Sequence, residues 1–141
     1  MTDRRAIRQA DAEIDGDSLE GPASLLAAAR ELVEQPRGAT TGLWPRAAAL
    51  LARRALEDAL DALWARRAPG LERASARAQL TCLPDYLPDR ELAAETAYAW
   101  AALSRACHHH AYELGPTAEE LRAHFAAVER LLGETAGELR A

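Results

Sequence analysis

Residues 44–68 read WPRAAALLARRALEDALDALWARRA. Leu50, Leu56, Leu60, Leu63 and Trp64 recur there at helical spacing and make one broad apolar face. Pro45 suits a first-turn position, and Pro69-Gly70 stop the run. A long helix of Ala and Leu without β-branched residues belongs to an all-α protein and argues against a sheet.

The same pattern continues on both sides. Upstream, "ASLLAAARELVEQ" places Leu25, Leu26, Ala29, Leu32 and Val33 on one face of a first helix over about 22–34, and "QPRGATTG" breaks it. Downstream, a shorter third helix fits 71–83, and "LPDYLPD" connects it to the next. Pro88 and Asp89 open a fourth helix that includes "ELAAETAYAWAALSRACHHHAYEL" and ends at Gly115-Pro116. Thr117 and Glu120 form a capping box for a fifth helix. Its apolar face is Leu121, Phe125, Val128, Leu131 and Leu132, and Gly133 closes it. Short connections between successive helices imply an antiparallel bundle of four main helices plus a short one. The organisation expected is a polar arm over 1–17, a bundle over 18–133 and a frayed tail over 134–141. Trp44, Trp64, Tyr98 and Trp100 read as core, and Arg53-Arg54 and Arg66-Arg67 as solvated faces.

The chain has 141 residues, enough for one domain with its own core. Its formal net charge of −5 argues against a general nucleic-acid coating protein, though it leaves room for a small basic site handling one or two phosphates. Every basic side chain other than histidine is Arg, and the absence of Lys and Asn reads as genomic GC bias. Two cysteines, Cys82 and Cys107, make no disulfide framework; both read as free thiols, with Cys82 filling core volume. No apolar run approaches the roughly 18–20 residues of a membrane span, and the charged N-terminus has no apolar signal segment. A cytoplasmic protein is expected, with no membrane partner.

Reactive side chains concentrate in "LSRACHHHAYELGPT", residues 103–117. Three readings compete. Successive side chains on a helix diverge by about 100°, so His108, His109 and His110 cannot all reach one metal ion. Cys107 with His110 has the spacing of half a site, completed by His124 or Cys82, but nothing in the spacing demands a metal. Histidines near a helix C-terminus also suit the dipole without any chemistry. The third reading is acid–base chemistry on phosphate: Arg is a permanent planar cation, His exchanges protons near neutral pH, and Tyr adds a hydroxyl. With an internal 2′-hydroxyl as nucleophile, such a group needs no metal or cofactor to cleave RNA.

Arg105, His110 and Tyr112 are spaced Arg-x4-His-x-Tyr. This resembles the Arg-x4–6-His signature of HEPN domains and its extended form in HepT-type toxins. The likeness spans residues 22–132 in bundle size and in the motif's position on a late helix, but only the motif is specific. It implies that Arg105 holds the scissile phosphate, that His110 is the general acid or base, and that Tyr112 lines the site. In HepT-type pairs the matching tyrosine is adenylated by a nucleotidyltransferase antitoxin. The resemblance further implies a homodimer with a composite cleft, an RNA substrate, metal-independent cleavage to a 2′,3′-cyclic phosphate, and a role in a bacterial conflict or toxin-antitoxin system. The alternative it carries is an inactive interaction module that partners a nucleotidyltransferase or another neighbouring effector. Two departures stand out. Ala106 replaces the polar residue common after the arginine, and a run of three replaces the single histidine. The family register selects His110, whereas helix geometry places His109 nearer the stripe of Arg105.

Overall fold

The computed structural model describes residues 21–35, 43–108 and 114–137. Among the described residues there are five α-helices: α1 (Pro22–Glu34), α2 (Trp44–Arg67), the short α3 (Ala76–Cys82), α4 (Arg90–Cys107) and α5 (Ala118–Gly137). Short 3-10 turns at Leu71–Arg73 and Leu83–Asp85 flank α3. The fold is an all-α antiparallel bundle, with no strand among the described residues. None of the described helices is long and apolar enough to cross a membrane.

Helix α2 is the centre of the bundle and packs against α1, α4 and α5. Leu56, Leu60, Leu63 and Trp64 are fully buried along it, together with Ala48, Ala49, Ala52, Ala55 and Ala59. The alanines present little side chain, so neighbouring helices can approach closely, while the larger residues supply apolar area. Phe125, Leu121, Val128 and Leu131 of α5 and Leu92 and Leu103 of α4 complete the core. The Trp64 ring meets Tyr86 edge-on, with centroids 4.9 Å apart. Exposed ion pairs Arg30–Glu129 (2.7 Å) and Arg122–Glu34 (3.0 Å) tie α1 to α5 and add little stability each.

Local chemistry explains the helix ends. The Asp89 carboxylate accepts from the Leu92 N–H at 3.1 Å and starts α4. At α5 the capping box is reciprocal: the Glu120 N–H donates to Thr117 Oγ1 (3.1 Å), and the Thr117 N–H donates to Glu120 Oε2 (2.8 Å).

Several expectations are corrected. The third helix is broken, because Gly70 at φ 106° leads into a 3-10 turn and Ser75 caps a separate helix, accepting from the Ala78 N–H at 3.2 Å. The fourth helix ends at Cys107 instead of reaching Leu114, with the His108 N–H closing onto the Arg105 carbonyl at 3.1 Å. The fifth helix passes Gly133 and runs to Gly137. Its last turns are held by packing: Thr135 is buried and its carbonyl accepts from Arg66 Nη1 at 3.0 Å. Leu50 is 57% exposed and Tyr98 66% exposed, so neither belongs to the core. Cys82 is partly buried and packs against the core, as expected. Arg54 and Arg66 are exposed, as expected of a solvated face, whereas Arg53 is half-buried against Glu57 and Arg67 Nη1 donates to the Tyr86 carbonyl at 2.6 Å.

Candidate functional site

Tyr98, Ala102 and Arg105 follow one another at i, i+4 and i+7, so α4 carries them on one stripe. Glu120 and His124 stand one turn apart on the first half of α5. Where the two helices meet, these side chains line a cavity of about 310 Å³, which Leu114 and Pro116 of the connection also border. Leu103, Ala106 and Leu121 supply apolar walls. An arginine, a histidine, a tyrosine and a carboxylate thus face one small volume.

The electrostatics of the cleft centre on His124. Burial pushes its imidazole below the usual 6.5; the Glu120 carboxylate pulls it back up, and the Arg105 cation pushes it further down. The ring is therefore mainly neutral at pH 7, with one nitrogen donating and the other accepting. Tyr98 leans on it with ring centroids 5.7 Å apart and a 50° tilt. Glu120 is already engaged in the helix cap, which fixes its position at the α5 end. Arg105 has no ion-pair partner among the described residues.

Of the residues singled out in the sequence, Arg105 lies in this cleft, in the last turn of α4. His108 is the C-cap of α4. His109, His110 and Tyr112 lie outside the described residues. The helix that carries Arg105 ends at Cys107 with His108 as its C-cap, so helical spacing is shown for the motif only as far as Arg105. Sequence reasoning missed Tyr98, taken for core, and weighed Glu120 only as a cap and His124 only as a metal ligand. The i, i+4, i+7 relation of Tyr98 to Arg105 was the available signal.

The metal reading weighed for Cys107 with His110, completed by His124 or Cys82, finds no support at Cys107, while His110 lies outside the described residues. Cys107 lies on the opposite side of α4, on the stripe of Trp100 and Ser104, near Arg53. Burial pushes its thiol up, outweighing the lowering effect of Arg53, and a thiol held protonated is a poor ligand. No group of three or more potential ligands occurs among the described residues.

That opposite side of α4 carries a second polar cluster. Glu57 Oε1 accepts from Arg53 Nε and from Trp100 Nε1, each at 3.0 Å. The Arg53 guanidinium lies 5.8 Å from the centroid of the Trp100 ring. Nearby, Gln79 is 3% exposed and its Nε2 donates to Asp61 Oδ1 (3.0 Å) and to the Ala74 carbonyl (3.1 Å). Glu57 thus faces α4 and binds the helices together.

Comparison with known proteins returns no family model, no curated protein and no solved structure that matches the chain.

Proposed function

We propose that the chain is a HEPN-like, metal-independent endoribonuclease that acts as a cytoplasmic homodimer in a bacterial conflict or toxin-antitoxin system. The observation that carries this reading is Arg105, which lines the α4–α5 cleft without an ion-pair partner among the described residues. A planar cation suits phosphate oxygens, and a histidine beside it can exchange protons near neutral pH.

The reaction would run by internal transfer. The ribose 2′-oxygen bonds to phosphorus while the P–O5′ bond breaks. The 2′-hydroxyl proton goes to a general base, and the leaving 5′-oxygen receives a proton from a general acid. The products are a 2′,3′-cyclic phosphate and a 5′-hydroxyl end. Arg105 would stabilise the charge that builds on the equatorial oxygens. The resemblance gives the acid–base role to His110, with His109 as the alternative, and places Tyr112 at the wall of the cleft. In a two-fold dimer each site gains a second copy of these groups.

Two observations favour a second reading. Glu120 stands in the cleft and the chain is acidic overall, both unfavourable to a polyanion. On that reading the chain is an inactive HEPN-type interaction module whose partner is a nucleotidyltransferase or another effector.

The test is cleavage of single-stranded RNA by the purified chain in EDTA, with light scattering run alongside. Cleavage persisting in chelator, absent on a substrate with 2′-deoxyribose at the scissile position, and a dimeric mass are the expected results. Activity lost in EDTA and restored by zinc or manganese overturns the metal-free mechanism. A monomer at micromolar concentration removes the composite site, and intact RNA at high enzyme favours the interaction module.

A further inference from the structure

The proposed ribonuclease reading assigns the proton transfers to histidines of the 108–110 run. The cleft between α4 and α5 contains another imidazole, His124, and an exposed aromatic ring, Tyr98, which that reading leaves without a task. Resting on the reading that RNA is the substrate class, we infer that this cleft is a ribonucleotide-binding subsite in which Arg105 takes the phosphate, Tyr98 stacks a base and His124 accepts a hydrogen bond from the ribose 2′-hydroxyl.

Four features carry this. The cavity, about 310 Å³, lies at the small end of ligand pockets, so it fits one nucleotide rather than a duplex. Its two charged groups sit on different helices: Arg105 on α4 attracts a phosphate, and Glu120 on α5 repels one. A nucleotide therefore seats with its phosphate toward α4 and its ribose toward α5, where His124 stands. Tyr98 is 66% exposed, steadied on one side by His124, and so offers ring surface at the mouth of the cleft. An aromatic ring beside an arginine is the usual platform for a single-stranded base. Finally, a neutral imidazole has one free acceptor nitrogen, which a 2′-hydroxyl satisfies and a deoxyribose does not.

Binding of small probes to the full chain separates this from cleavage. The readout is the His124 Cε1–H resonance, assigned with His124→Gln, during titration with inorganic phosphate, cytidine 3′-monophosphate and 2′-deoxycytidine 3′-monophosphate. All three should move the resonance, and the ribonucleotide should bind about five- to ten-fold more tightly than the deoxyribonucleotide. His124→Gln, which lacks that resonance and is followed by isothermal titration calorimetry beside the wild type, should bind the two nucleotides equally. Tyr98→Ala should weaken both nucleotides by about ten-fold and leave phosphate unchanged. Arg105→Gln should abolish the response to all three. Circular dichroism confirms that each variant is folded, and the wild-type titration stands without any variant.

Equal affinity for the ribo- and deoxyribonucleotide overturns the inference, as does a response to phosphate alone or no response at millimolar probe. If the nucleotides bind as stated while RNA stays intact, the subsite stands and the ribonuclease reading falls. If RNA is cleaved but the His124 resonance ignores every probe, the ribonuclease stands and this subsite falls.

Discussion

Helix α4 carries one polar cluster on each side, and the two are built on opposite principles. Toward α2 and α3, Arg53, Glu57 and Trp100 consume one another's hydrogen-bonding capacity, and the Arg53 and Glu57 side chains are only 28% and 29% exposed. Toward α5, Arg105, His124 and Tyr98 share a cavity without bonding to one another, and Glu120 is turned to the helix cap. Groups that satisfy each other at a partly buried seam gain stability and have nothing left for a ligand. Groups held around an open volume contribute little to folding, and their unmet capacity is what a ligand uses. The distinction is not visible in residue types, since each side has an arginine, a glutamate and an aromatic ring.

The strongest way to break this contrast is Arg105→Ala. If the α5 side is the working side, RNA cleavage should fall by about 10²–10³, as for loss of a charge-stabilising donor, with the melting temperature unchanged. A variant that cleaves like wild type dissolves the functional half of the comparison.

Glu57→Ala probes the other half. It leaves the partly buried Arg53 and the Trp100 indole N–H without their shared acceptor, which should cost roughly 1–3 kcal/mol in urea denaturation. Cytidine 3′-monophosphate binding should not change. A stable variant with altered binding would put the seam, and not the cleft, in the functional role.

Thr117→Ala sharpens the picture, because the cap fixes Glu120 at one end of the cleft. The expected loss is about 1 kcal/mol of stability. Freed from the cap, Glu120 should also change the titration of His124, which proton resonance would follow.

The smallest effect is a pH slope. Burial depresses the His124 pKa below 6.5, so the unfolded chain binds the proton more readily than the folded one. Its contribution is therefore full above pH 6.5 and is lost as pH falls through the depressed value. Stability measured at pH 7.5 and 5.5 should differ less in His124→Gln than in wild type; an unchanged difference would place His124 in a more solvated position.

Much of this architecture was legible in the chain. The limits of α1 and α2 followed from Pro22, Pro45 and Pro69-Gly70, and the start of α5 from Thr117 and Glu120, because prolines and capping side chains act within a few residues of themselves. Gly133 misled because the buried Thr135 and the Arg66 bond hold the helix past it, an interaction across 69 residues. Leu50 and Tyr98 misled because their residue types suit a core, while their helix faces turned outward.

Arg105 was singled out from its spacing to His110, a relation along the chain. Its company in the cleft is a relation across space. Helical periods, caps and stops depend on residues within a turn or two, so an all-α bundle of this order is written in local pattern. The pairing of Glu57 with Trp100, and the meeting of Arg105 with His124, depend on how α4 rotates against α2 and α5 as the alanine faces and large apolar side chains pack. That rotation belongs to the assembled core and to no single helix.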